Sequence, residues 1–136
     1  MLITIPDVLT PDELATARAL LARADWGDGK ATAGLQAAQV KNNRQIAEDD
    51  AQLPALRQLV LEALGRSALF FTAALPLRIY PPMFNRYGGD ANRFGAHVDG
   101  AVRRLPTGAG YVRTDVSATL FLSDPADYDG GELVIE

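Results

Sequence analysis

The chain has no cysteine, and His97 is its single histidine. The first absence excludes thiolate metal sites, cysteine nucleophiles and disulfide staples, and it fits a reducing compartment. The second leaves one imidazole for any acid–base or metal chemistry. Basic residues are in deficit, 13 against 17 acidic, giving a formal net charge of -4 and an isoelectric point of about 4.9. Nucleic-acid binding needs a concentrated basic surface, and the pair Arg103-Arg104 is not one. Residues 1–9 hold only a short apolar run and no cationic region, so they read as neither a signal peptide nor a membrane span. These exclusions lead to the expectation of a cytoplasmic protein with no nucleic-acid and no membrane partner.

What is present suffices for one packed core. A content of 48% hydrophobic and 22% charged residues in 136 is too balanced for disorder. A domain of this size buries about 68% of its unfolded surface, so it needs no staple. Leu2-Ile3-Thr4-Ile5 alternates like a short strand. Thr10-Pro11-Asp12-Glu13 supplies a hydroxyl N-cap, proline at the first helical position and glutamate at N3, which starts a helix. Leu14, Ala17, Leu20, Leu21 and Ala24 recur at helical spacing until Gly27 and Gly29, and this apolar face is expected to cover a sheet. Residues 31–46 read as irregular, with one strand around 39–42. A second helix is expected over 53–64, with Leu56, Leu59, Val60, Ala63 and Leu64 on one stripe and Gly65 as its C-cap; 67–74 reads as a further short helix. After Pro76 the texture turns to strands, at 77–80, 83–87, 94–102, 113–122 and 132–135, with turn residues between them. Helices first and strands afterwards make this an α+β chain of one domain. Residues 1–76 form its helical and mixed region, and 77–136 an antiparallel sheet region with helices packed on one side.

The chemistry centres on His97, two residues before Asp99, in a segment that reads as a strand. Residues i and i+2 of a strand face the same side. One imidazole and one carboxylate therefore project together, which is half of a 2-His-1-carboxylate facial triad. Such a triad leaves positions open on Fe(II) for a bidentate oxo acid and O2. Alone, the spacing is a weak signal, because a lone histidine is more often satisfied by a simple hydrogen bond. Asp115, Asp124, Asp127 and Asp129 read as turn-forming or solvated, and Gly88-Gly89 and Gly130-Gly131 as tight turns. No phosphate-binding loop or nucleophile motif is found.

The stretch Asn85-Arg86-Tyr87-Gly88-Gly89, followed by Phe94-Gly95-Ala96-His97-Val98-Asp99-Gly100, resembles the Fe(II)/2-oxoglutarate dioxygenases of the prolyl-hydroxylase type. More narrowly, residues 83–86 and 97–103, Thr119-Leu120-Phe121-Leu122-Ser123 and Tyr128-Asp129-Gly130-Gly131-Glu132-Leu133 resemble the bacterial PKHD-type hydroxylases. Trp26, Gly29, Thr32-Ala33-Gly34 and Lys41-Asn42-Asn43 extend the resemblance to the N-terminal part. It implies a double-stranded β-helix, or jelly roll, that holds iron and 2-oxoglutarate between its sheets. His97 and Asp99 would be metal ligands, Tyr87 would sit beside the 2-oxoglutarate carboxylate, and Met83, Thr119, Phe121 and Leu133 would line that pocket. No catalytic residue beyond the ligands is implied. Ser117, Thr119 and Phe121 share one strand face, and Val116, Ala118, Leu120 and Leu122 the other. In strands such residues are more often ordinary packing than cofactor contacts. O2, an unknown prime substrate and ascorbate, which returns iron to the ferrous state, complete what the resemblance implies.

The pattern also asks for a second histidine and a basic residue to pair with the distal 2-oxoglutarate carboxylate, and the chain offers neither. About half the strands of an eight-stranded jelly roll are recognisable. The expectation is therefore a sheet incomplete at its C-terminal side, in a fragment of weak or no activity. The rival reading is a non-catalytic β-domain that binds a partner or a second copy through its open edge. A metal site completed across a homodimer ranks last, since a carboxylate would have to replace histidine.

Overall fold

The computed structural model describes residues 2–34, 37–108 and 110–135. Helix α1 (Pro11–Leu21) begins where its capping residues place it. The Thr10 hydroxyl accepts from the Glu13 N–H at 3.3 Å, and the Glu13 carboxylate accepts from the Thr10 N–H at 2.8 Å. Two donors that a helix start would orphan are thereby satisfied. The Thr10 amide, aided by the Arg66 guanidinium, holds the Glu13 carboxyl below its usual 4.5, so this support is present at neutral pH and lost as pH falls through the folded value. Thr10→Ala is expected to cost about 1 kcal/mol, read as a lower urea midpoint at unchanged slope.

Helix α1 stops at Leu21, short of the expected Gly27 and Gly29. There the Asp25 N–H is taken by the Asp50 carboxylate at 2.8 Å, and the next residues enter a sheet as β1 (Trp26–Asp28). Helix α2 (Leu53–Arg66) runs through Gly65, which is not its cap. Ser67 ends it and starts α3 (Ala68–Ala74), its hydroxyl accepting from the Phe70 N–H at 3.2 Å. On the buried stripe of α2, Leu53, Leu56, Val60 and Ala63, the first three meet Ala17, Ala24, Ile46 and Phe84. Leu20, Leu21, Leu120 and Leu122 pack at the margin of this core.

Every strand pairing is antiparallel. The remaining strands are β2 (Lys41–Asn42), β3 (Arg44–Ile46), β4 (Asn85–Arg86), β5 (Arg93–Phe94), β6 (Val102–Arg104) and β7 (Tyr111–Arg113). They form a three-stranded sheet β1-β3-β4, a pair β2-β5 and a hairpin β6-β7. The chain is therefore α+β, but the strands depart from expectation. β1 and β3 arise where none was foreseen. The strand expected around 39–42 is confined to Lys41–Asn42, after a 3-10 turn at Ala37–Gln39; the neighbouring Leu35 and Gln36 lie outside the described residues.

Residues 2–5, 77–80 and 132–135 enter no strand, 83–87 contributes only Asn85–Arg86, 94–102 pairs only at its ends, and 113–122 only at Arg113. Among the described residues the sheets do not form the two layers of a jelly roll. The reason is physical: side-chain alternation marks faces, whereas a strand also needs a neighbour to complete its ladder. In 116–122 the alternation survives in part without one, with Leu120 and Leu122 half-buried and Thr119 and Phe121 exposed. The Leu122 carbonyl is anchored by the Arg18 Nε at 2.8 Å. No helix among the described residues is long and apolar enough to cross a membrane.

Candidate metal centre

Beyond β5 the chain leaves its ladder, so His97 and Asp99 do not stand on a strand. They face each other nonetheless, His97 Nε2 lying 3.4 Å from Asp99 Oδ1. The ring is fixed on two sides. Phe94 stacks on it with centroids 3.7 Å apart and planes within 11°. Its Nδ1 lies 2.7 Å from the Gly95 carbonyl oxygen. The Gly95 backbone is set in turn, because its N–H donates to the Val40 carbonyl at 2.9 Å and a Cβ there would crowd Val40 at 3.1 Å.

A carbonyl only accepts, so Nδ1 carries the hydrogen, a tautomer that follows from the hydrogen-bond network. In the neutral ring Nε2 is then a bare lone pair aimed at a carboxylate oxygen. Two acceptors this close are reconciled by a cation, either a proton on the ring or a metal ion between them. Adjacent ligands about 2.1 Å from a divalent ion stand about 3 Å apart, so the pair fits two cis positions. The imidazole is 24% accessible and the Asp99 carboxylate 63%, which leaves the pair open on one side. Among the described residues no group of three or more histidines, aspartates or glutamates is assembled.

Beside this pair runs a polar wall, of which Thr32, Lys41 and Asn43 belong to the resemblance described above but carry no role in it. Lys41 stands opposite Phe94 in the β2-β5 pair, so both side chains share a face, and Nζ lies 5.4 Å from the ring centroid. Lys41, Asn43 and Gln45 are all buried, 6%, 2% and 4% exposed. Lys41 Nζ donates to Gln45 Oε1 at 3.0 Å and to Thr32 Oγ1 at 3.5 Å, while the Thr32 hydroxyl donates to Gln45 Oε1 at 2.7 Å. Asn43 Nδ2 donates to Asn85 Oδ1 at 3.3 Å, and among the described residues Asn43 Oδ1 is buried without a partner. Gly29 makes that seat available, since a Cβ there would fall 1.9 Å from Asn43 Oδ1. Burial pulls the Lys41 pKa below 10.5, the nearby Arg103 charge pulls the same way, and Asp28 opposes them. Arg103 itself donates weakly to Met83 Sδ at 3.5 Å and lies 4.7 Å from the Tyr80 ring centroid. The one available signal was the spacing i, i+2, i+4 in Lys41-Asn42-Asn43-Arg44-Gln45. Polar residues on both faces hid it, because no apolar alternation marks the strand.

The other residues expected at a cofactor are dispersed. Met83 is half-buried beside Arg103; Tyr87 follows β4 and is exposed; Thr119, Phe121 and Leu133 are exposed. Among the described residues His97 has its hydrogen bond, ion pair and ring stack with Gly95, Asp99 and Phe94, and with none of these five. Asp124 behaves as a turn former, its carboxylate accepting from the Ala126 N–H at 2.9 Å, and Asp115 pairs with Arg113 at the surface. Gly130 and Gly131 adopt φ of +75° and +78°, the left-handed conformation that suits glycine in a tight turn.

No family model matches the chain. Individual relatives do. A PKHD-type hydroxylase of Nitrosomonas europaea is 67% identical over 135 residues, covering 99% of this chain and 60% of the relative. One from Nitrosomonas eutropha is 64% identical with the same coverage. One from Xanthomonas axonopodis pv. citri is 62% identical over 138 aligned positions, spanning all of this chain and 60% of the relative. The chain thus spans 60% of the length of these relatives, and across that span it is similar to the PKHD-type hydroxylases.

Proposed function

We propose that this chain is the part of an Fe(II)- and 2-oxoglutarate-dependent hydroxylase that carries two of its three iron ligands, His97 and Asp99. The observation that carries the reading is the imidazole Nε2 facing the Asp99 carboxylate at 3.4 Å, with Nδ1 turned to the Gly95 carbonyl. The relatives' names as hydroxylases support it. When bound, iron supplies oxygen activation coupled to decarboxylation of 2-oxoglutarate to succinate and CO2, with hydroxylation of a C–H bond. The protein's own groups do the positioning. The Gly95 carbonyl keeps His97 in the ligating tautomer, and Phe94 holds the ring plane and shields one face from water. On this reading Tyr87, Met83, Thr119, Phe121 and Leu133 come to line the cosubstrate pocket once a jelly roll is complete. The second histidine and the basic partner of 2-oxoglutarate would belong to the share of the relatives' length that this chain does not span.

The test compares this chain with a form completed to the relatives' length, measuring succinate from 2-oxoglutarate with Fe(II) and ascorbate. The completed form is expected to make succinate and the 136-residue chain little or none. Failure of both would overturn the enzymatic reading. A second reading, self-association without catalysis, is favoured by the exposure of Val116, Phe121, Leu133, Val134 and Ile135 in segments outside any ladder. It predicts a solution mass that rises with concentration.

A further inference from the structure

Among the described residues Lys41 and Arg103 are two cations with no carboxylate at ion-pair distance, Asp28 acting on Lys41 only from further away. Lys41 is held by the neutral oxygens of Gln45 and Thr32, and Arg103 lies against Met83 and the Tyr80 ring. Among the described residues neither forms an ion pair with a carboxylate, whereas the exposed or half-exposed arginines Arg57, Arg66 and Arg113 each do. A buried ammonium is unfavourable unless paired, and a second positive charge nearby makes it more so. Chain packing alone would be served better at position 41 by an apolar side chain of the same length.

Their location explains the arrangement. The Phe94 ring that stacks on His97 is the same ring that meets Lys41 Nζ, so Lys41 neighbours the His97–Asp99 pair through one ring, and the Arg103 charge acts on Lys41. We propose that Lys41 and Arg103 form a carboxylate-binding subsite beside His97 and Asp99, taking an organic acid ligand. The pair matches that chemistry: arginine presents a planar fork to a carboxylate and lysine a point charge. The lowered Lys41 pKa agrees with a cation held without its counter-ion, and a bound carboxylate would raise it. The subsite is read from side chains alone and needs no iron, so it can fail separately from the iron reading.

Glutarate, a dicarboxylate without a chelating 2-oxo group, is the probe, used on metal-free protein. The chain has only two lysines, Lys30 and Lys41, and Lys30 is exposed, so isotope-labelled lysine gives one reporting signal and one internal control in NMR. Glutarate is expected to shift the Lys41 signal saturably and raise its pKa, leaving Lys30 unmoved. Lys41→Met and Arg103→Gln should each weaken glutarate binding about tenfold or more in calorimetry. Absence of a saturable Lys41 shift, or wild-type affinity in Arg103→Gln, overturns the subsite; the second variant decides the matter even if Lys41→Met does not fold. Adding 2-oxoglutarate then identifies the source of the carboxylate. Displacement of glutarate one for one assigns the subsite to the cosubstrate, and simultaneous binding assigns it to an acid group on the molecule being oxidised.

Discussion

His97→Ala is expected to lower Fe(II) affinity by at least about a hundredfold and to abolish iron-supported succinate formation in the completed protein. Losing a group that only orients a ligand costs about 10–100-fold in metal affinity, and His97 would be a ligand itself. The same variant should leave thermal stability nearly unchanged, because the residue lies on an exposed loop beyond β5 and contributes a ring stack and one hydrogen bond. Asp99→Asn provides the electrostatic control: it keeps the shape of the side chain and removes its charge, and should weaken iron binding less than His97→Ala does. A metal titration with a spectroscopic readout checks both. If His97→Ala binds iron as well as the parent chain, the contact with Asp99 is an ordinary ion pair of a protonated imidazole.

Leu56→Ala is expected to destabilise the fold by about 2–5 kcal/mol, a large part of the about 5–15 kcal/mol typical of a domain. Leu56 is fully buried at the centre of the α2 stripe, among Ala17, Ile46, Leu53, Val60 and Phe84. These neighbours come from α1, β3, α2 and the segment before β4, so the cavity would loosen several elements together. Leu77→Ala, at a side chain 95% exposed, should stay within about 0.5 kcal/mol. Urea unfolding of the two variants beside the parent chain reads the contrast; equal midpoints would mean that α2 is not packed as described.

The sequence was most legible where the signal is local. The Thr10–Glu13 capping pair, the α2 stripe and the Ser67 start of α3 depend on residues within a turn or two of one another, and each is found in place. The same-side projection of His97 and Asp99 was also legible, although the strand invoked to explain it is absent. Two residues in extended chain face alike whether or not a neighbour completes the ladder. The strand extents were not legible, because 77–80, 116–122 and 132–135 have the right alternation but no hydrogen-bonded neighbour among the described residues.

By itself, then, the sequence determined the helices, the α+β order, the one imidazole and its carboxylate partner, and the likeness to the PKHD-type hydroxylases, all of which are written in short-range spacing or in the order of motifs. Tertiary structure alone decided that Lys41, Asn43 and Gln45 turn inward as a buried polar row and that Phe94 joins it to His97. It also decided that Arg103 approaches Lys41 from 62 positions further along the chain. A polar run carries no mark of burial. Its surroundings are set by segments far away in sequence, and only their packing decides which charges lose water and which go without a partner.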